Sequence, residues 1–336
     1  MKVVYENCIS NNSGKVANYI PELAKKNPND FGVSICSIDG QRLNFGNYKT
    51  LFSVQSCSKP ITYSLALENL GPDVVHKHVG HEPSGVAFNA ICLNKEGLPH
   101  NPLINSGAIM TCSLIKPELD ESGKFNYILE MWQKLSGGKR VTYDNSVFLS
   151  ERNSAHTNFA LAHLMMSKGA FPKGVDITKV LEFYFMNCSL EADSDTLAVI
   201  AATLANGGLN PLTGEQVLKT RTVQDVLSLM NCCGMYDYSG EFSFKIGLPA
   251  KSGVGGAIMT IVPGLMGICT YSPPLDNYGN SSRGVQFMHE LSNLFNLHLF
   301  RVEKNNLVTS RKTNCSYELL DYCAGGELNQ VKRMVL

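Results

Sequence analysis

The sequence predicts an α+β fold, in which one antiparallel sheet is built from both ends of the chain, flanked by helices and interrupted by a helical insertion. Three observations carry this. A hairpin pattern stands near the start, strand-like runs recur after residue 240, and the stretch from about 150 to 206 has helical periodicity.

The hairpin runs from Phe31 to Ile38, turns at Asp39-Gly40, and returns from Gln41 to Phe45; an Asp-Gly pair favours a type I′ turn. Next, Leu51-Phe52-Ser53-Val54 is strand-like, and Ser56 opens the apolar run Ile61 to Leu67, which ends near Gly71-Pro72. That order reads as strand, turn and helix N-terminus. Pro60 fixes the helix start, because proline is tolerated only in the first turn.

Helices are expected over His156 to Met166, Val175 to Phe185, and Ser194 to Ala205, the last stopped by Asn206-Gly207-Gly208. Strands are expected over Phe242 to Ile246, Gly256 to Val262 and Gly267 to Ser272, separated by Gly and Pro punctuation. From Ser281 to His298 the residues Val285, Phe287, Met288, Leu291, Leu294 and Phe295 make an apolar stripe at helical spacing, fit to cover the sheet. Residues 301–315 are polar and read as a linker; Tyr317 to Leu336 reads as two short helices.

With 336 residues, 44% of them hydrophobic, and a net charge of zero, the chain can bury a large core and offers no basic patch for nucleic acid or an anionic membrane. Eleven cysteines without a Cys-x-x-Cys pair read as buried small hydrophobes in a reducing, intracellular compartment. Neither a secretory signal nor an uninterrupted apolar span is visible. His76-Lys77-His78-Val79-Gly80-His81 lacks a carboxylate or cysteine to complete a metal site and reads as a polar turn, so no metal or other cofactor is expected.

Chemistry is carried by Ser56-Cys57-Ser58-Lys59 and Lys251-Ser252-Gly253. Ser and Lys at i, i+3 share a helix face, so the Lys59 amine can take the Ser56 proton. A serine at a helix N-terminus also has free N–H groups beside it for an oxyanion, although it could equally be a simple N-cap. Ser113-Leu114-Ile115-Lys116 and Ser136-Gly137-Gly138-Lys139 repeat the spacing, but their Pro and Gly contexts read as solvated surface.

Several further segments, in order, give the chain a family resemblance: Gly14-Lys15-Val16-Ala17-Asn18-Tyr19, Gln55 to Pro60, Glu82-Pro83-Ser84-Gly85, Asn105-Ser106-Gly107-Ala108, Ser150-Glu151-Arg152, Cys233-Gly234-Met235-Tyr236-Asp237, and Pro249 to Val254. From about Gly14 to Leu299 the chain resembles the serine-dependent glutaminases, which share the β-lactamase and penicillin-binding-like fold. The resemblance implies a catalytic domain over residues 1–300, with a mainly helical subdomain at about 60–235. Residues 316–336 resemble the helix pair of an ankyrin repeat, cut short, through which a protein partner could bind.

For the site, the resemblance implies Ser56 as nucleophile, Lys59 as its activating amine, Tyr236 and Tyr19 near the reacting centre, and Gln55 and Lys251 in support. L-glutamine would be held by Ser56, Asn105, Glu151, Asn158, Tyr184, Tyr236 and Val254, with Glu151 opposite the α-ammonium and the Ser56 and Val254 amides around the oxyanion. Lys59 is expected to be brought toward neutral pH by burial and by Lys251; either Lys59 or Tyr236 could accept the proton. Without the resemblance, Asn105 reads as a turn former, Glu151-Arg152 as a solvated pair, and Asn158, Tyr184, Tyr236 and Val254 as packing residues.

Animal members carry, at the positions of Gly85 to Asn101, a loop that gates activity and builds tetramers from dimers, so a homo-oligomer is expected. Cys92 here stands where a bulky aromatic would be expected. The location implied is mitochondrial for an animal source whose presequence is missing, and cytoplasmic otherwise. Two rivals remain: a β-lactamase or penicillin-binding-type hydrolase, which would need export and a Ser-Asp-Asn triplet that this chain lacks, and a catalytically silent interaction protein built on the C-terminal helices.

Overall fold

The computed structural model describes residues 1–301; the expected helix pair, and the linker from residue 302 on, lie outside the described residues. The chain opens with α1 (Lys2–Ile9) and the short strand β1 (Lys15–Val16), then forms the hairpin of β2 (Gly32–Ser37) and β3 (Arg42–Gly46). Strand β4 (Phe52–Ser53) leads through a 3₁₀ turn, Gln55–Ser58, into α2 (Lys59–Leu70) and the single-turn α3 (Pro72–Val75). A long loop reaches α4 (Asn105–Leu114) and α5 (Glu121–Leu135), followed by β5 (Thr142–Tyr143), α6 (Asn145–Ser154), α7 (His156–Ser167) and α8 (Ile177–Cys188). After β6 (Leu190–Ala192) come α9 (Ser194–Ala205), α10 (Thr220–Cys233) and α11 (Ser239–Lys245). The chain then returns through β7 (Ala250–Ser252), β8 (Ala257–Val262), β9 (Met266–Tyr271), β10 (Pro274–Leu275) and α12 (Ser282–Phe295).

The main sheet has the order β3-β2-β9-β8-β7, antiparallel throughout, so strands from both chain ends meet at β2 and β9. Period-two alternation sorts its side chains into two cores. Val33, Ile35, Ile258, Val262 and Ile268 face one side, where Phe287, Met288 and Leu291 of α12 and Val4 of α1 cover them. Ala257, Met259, Ile261 and Cys269 face the other, packed against α9 and the helices beyond. Both faces are therefore buried, and the polar-out positions of a one-sided sheet are missing from β8 and β9.

Four expectations change. The hairpin does not close as type I′, which needs a positive φ at both central residues: only Gly40 has one (φ 86°), and the loop is a Ser37–Gly40 turn with Gly40 as its left-handed step. Phe242 to Ile246 is not a strand but lies in and just after α11. Its apolar-polar alternation misleads, because Phe242 and Ile246 at i, i+4 are both buried while Phe244 between them is 83% exposed. Helix α9 is not part of a separate insertion; it is entirely buried and lies on β9, β2 and β8. Ser113 and Ser136, expected at a solvated surface, are buried and tied to backbone carbonyls of Met110 and Gln133.

The contact of α9 with the sheet rests on Gly267, where a Cβ would stand 2.1 Å from Ala202 N and 2.5 Å from Ala198 O. Only hydrogen fits between the strand and the helix backbone. Gly267→Ala is accordingly expected to destabilise the fold by about 3 kcal/mol, the upper end of the ordinary overpacking cost. Urea unfolding followed by tryptophan fluorescence of the buried Trp132 measures it.

Candidate functional site

Ser56 sits in the 3₁₀ turn between β4 and α2, not at the N-cap of α2, which is Ser58. In a 3₁₀ turn residues i and i+3 eclipse, which brings the Lys59 Nζ within 2.7 Å of Ser56 Oγ. Gln55 holds the turn with a positive φ of 47°, and Ser58 Oγ donates to Gln55 O. Cys57 Sγ donates toward Lys251 O of β7 (3.4 Å), fixing the turn to the sheet edge.

Lys59 is 1% exposed and also donates to Asn105 Oδ1 at 2.8 Å. Burial of the ammonium lowers its pKa to about 8 against smaller opposing effects of Cys188 and Glu151. The expected contribution of Lys251 is absent from this shift. Lys251, wholly buried, is itself held well below the ordinary lysine range by burial and then by Lys59. Its Nζ donates to Gly234 O (3.0 Å) and Ser252 O (2.8 Å).

Tyr236 follows α10 with a positive φ of 57°, a costly conformation for an aromatic residue. Its hydroxyl donates to Ser252 O at 2.9 Å, and its ring lies 4.4 Å from Lys251 Nζ. Burial raises its pKa, only partly offset by hydrogen bonding with Ser56, so the phenol is neutral.

Four helices line the pocket beside Ser56 with polar residues: Asn105 from α4, Glu151 and Ser154 from α6, Thr157 and Asn158 from α7, and Tyr184 from α8. Asn105 Nδ2 donates to Asn158 Oδ1 at 3.0 Å, continuing the chain that begins at Ser56. Glu151, 6% exposed near the end of α6, accepts from Gln55 Nε2 at 3.1 Å. Burial lifts its pKa to about 7, while the Gln55 donor and Lys59 pull it back. Tyr19 lines the same small cavity of about 70 Å³ and is 53% exposed. A roomier cavity of about 620 Å³ between Lys124, Lys179 and Phe183 contains none of these residues; chemistry rather than volume locates the site.

Val254 follows β7 and packs with Tyr236 and Ile20. Its flanking glycines let it approach: a Cβ on Gly253 would lie 2.9 Å from Val54 O, and one on Gly255 2.9 Å from Ser53 O. Outside the 3₁₀ turn itself, no described backbone acceptor is paired with the Ser56 or Val254 amide.

The structure thus brings together every expected site residue, and it adds Phe88. This loop residue stacks on Tyr236 (ring centroids 4.6 Å apart), lies 6.0 Å from Lys59 Nζ, and accepts the Asn105 amide on its carbonyl. A lone aromatic in an irregular loop gives no sequence signal of such a position. The histidines of 76–81 have partners of their own: His76 bonds Tyr63 and Val79 and stacks on His81, and His78 bonds Ala170 O.

A buried serine and lysine on a turn between sheet and helix stand near a Lys-Ser-Gly strand, and the sheet with its covering helices has the β-lactamase-like fold. The glutaminase family model matches residues 14–300, and the chain belongs to the glutaminase family. It is 48% identical over 295 residues to a liver-isoform, mitochondrial glutaminase of Mus musculus, covering 88% of this chain but 49% of that protein. The chain therefore spans about half the length of that relative. A glutaminase of Nostoc sp. is 50% identical over 292 residues, 87% of this chain and 86% of its own. Among solved structures, a probable glutaminase superposes with a TM-score of 0.85 at 37% identity over 90% of this chain and 97% of its own. Mglu in its tris and glutamate form superposes with a TM-score of 0.84 at 34% identity, covering 90% of this chain and 67% of its own.

Gln55 donates to the carboxylate of Glu151 and so favours its charged form. Gln55→Leu should raise the Glu151 pKa above about 7 by about one further pH unit, as expected for a lost hydrogen bond to a buried charge. Carbon-13 NMR of a glutamate-labelled protein reads that titration.

Proposed function

We propose that the chain hydrolyses L-glutamine to L-glutamate and ammonia through a glutamyl ester on Ser56. The observation that carries this is the 2.7 Å approach of a buried Lys59 amine to Ser56 Oγ beside a pocket that holds one carboxylate, Glu151. With a pKa near 8, a useful fraction of Lys59 is neutral at physiological pH and can accept the serine proton. Tyr236, with its pKa raised, is suited to relay a proton as a neutral phenol and is a poor first base.

Attack of Ser56 Oγ on the side-chain amide carbon forms the C–O bond and a tetrahedral oxyanion directed at the Ser56 and Val254 amides. Collapse breaks the C–N bond, and the proton held on Lys59 leaves with ammonia. Water then attacks the ester with Lys59 again as base, releasing glutamate. Recognition follows from charge: the α-ammonium pairs with Glu151, and the α-carboxylate takes donors from Asn158, Tyr184, Tyr19 and Asn105. Mglu, a structural relative, was solved in a glutamate form, which supports product binding at this fold's pocket. A penicillin, anionic and without a required ammonium, suits a pocket floored by Glu151 poorly.

The same reading assigns catalysis to residues 1–300 and a homo-oligomeric state to the protein, with the loop from Gly85 to Asn101 as the element joining assembly to activity. Phe88 on Tyr236 supports that coupling. No helix among the described residues is long and apolar enough to cross a membrane. The location that follows is the mitochondrion in an animal and the cytoplasm otherwise.

Ser56→Ala and Lys59→Ala should each lower ammonia release from glutamine by at least ~10³-fold, and together by little more, because the pair acts as a unit. Unchanged circular dichroism separates lost chemistry from lost fold. Glu151→Gln should act mainly on kcat/KM, and glutamine analogues without the α-amine should already be poor substrates of the natural protein.

For pH, Glu151 must lose its proton to bind the ammonium and Lys59 must lose its proton to act as base. Both are active above their pKa values, so kcat/KM should climb from pH 6 through about 7 and 8 and level off beyond. A profile that falls over this range would sink the assignment of Lys59.

A further inference from the structure

Helix α10 ends in two adjacent cysteines whose sulfurs stand 3.4 Å apart. Cys232 is partly exposed and Cys233 is 6% exposed; both line a cavity of about 370 Å³ whose opposite wall is the loop Pro83–Val86 with Phe88 and Tyr236. Access to the pair is therefore from the cavity side. The two thiols are within hydrogen-bonding distance, and that contact lowers the Cys232 pKa to about 7 against burial.

This pair is not placed to form a disulfide with itself. Adjacent Cα atoms across a trans peptide are about 3.8 Å apart, below the roughly 4.4 Å at which disulfides begin. A bridging atom with bonds to sulfur of about 2.3 Å would instead see the sulfurs, 3.4 Å apart, at an angle of about 95°. That is close to the pyramidal geometry of trivalent arsenic and narrower than tetrahedral zinc requires. No group of three or more His, Cys, Asp or Glu among the described residues is arranged to complete a metal site.

We propose that Cys232 and Cys233 form a bidentate capture site for trivalent, thiophilic electrophiles of the organoarsenical class, and that capture shuts down the neighbouring active site. The step balances without an oxidant. Two S–H bonds are lost, two S–As bonds form, the As=O oxygen leaves with both protons as water, and arsenic stays trivalent.

Two features carry the effect to the site. The bound group would fill the cavity against the Phe88–Tyr236 stack. The residue after Cys233 is Gly234, whose carbonyl accepts from both Lys251 Nζ and the Ser252 amide and whose position allows no shift toward β7, since a Cβ there would lie 1.7 Å from Ala250 O. Strain at the end of α10 thus reaches Tyr236 and Lys251 directly. Capture itself is independent of the proposed glutamine hydrolysis; the loss of activity rests on that reading.

The test uses the full chain and phenylarsine oxide, read in parallel by intact mass and by ammonia release. Expected are one arsenical per chain with loss of one water, two fewer titratable thiols, and activity reduced at least tenfold. Dimercaptopropanol should restore it, whereas an equal thiol concentration of mercaptoethanol should not. Cys232→Ser should keep its basal activity and lose both the adduct and the inhibition, while a Cys315→Ser, Cys323→Ser chain should behave like the natural one. An adduct that persists in Cys232→Ser, or no adduct at all, overturns the site; an adduct on the pair with activity unchanged overturns its link to Tyr236. Should the untreated protein release no ammonia, the glutaminase reading fails and the mass measurement still decides capture.

Discussion

The contact on which the site depends is that of one buried lysine amine with one serine hydroxyl. Among the described residues, the buried Lys59 amine has two hydrogen-bonding neighbours, Ser56 Oγ and Asn105 Oδ1, and no carboxylate within hydrogen-bonding distance. A fully paired lysine would stay protonated and inert as a base. Burial without an ion pair brings its pKa to about 8. The fold meets that requirement by packing α2 between α4, α10 and the Gln55–Ser58 turn, so that the amine is buried although its helix begins beside a cavity.

Two lysines this close would repel each other if both were charged. The sheet gives Lys251 two carbonyl acceptors, and burial together with Lys59 holds its pKa well below the ordinary lysine range. Both acceptors bear on the reacting centre: Ser252 O also takes the Tyr236 hydroxyl, and Gly234 O anchors the segment that holds Tyr236 in its left-handed conformation. The strain at Tyr236 and the burial of Lys251 are therefore two sides of one arrangement. The Lys-Ser-Gly strand acts here by placement rather than by charge.

What the sequence disclosed follows the range of the interactions involved. Helix α9 announced itself through Asn206-Gly207-Gly208, and the hairpin through Asp39-Gly40, because caps and turns are local. The Ser-x-x-Lys motif was legible because three residues of spacing place the pair on any helical turn. Glu151, Asn158 and Tyr184 were not legible from the residues alone; they come from three helices that meet only in the folded chain, and the family resemblance supplied them. Where alternation was trusted without a tertiary check, at Phe242 to Ile246, a helix was read as a strand.

Phe88 extends the same logic to the loop. Its ring rests on Tyr236, and its backbone carbonyl holds the first amide of α4, whose side chain in turn holds Lys59. Movement of Phe88 would bear on Tyr236 and Asn105 at once, because this one loop residue contacts both. A ligand, a subunit contact or a covalent group that shifts Phe88 would alter the Tyr236 side and the Asn105 side together. Phe88 thus touches both sides of the proposed site, a position no local pattern in the sequence reveals.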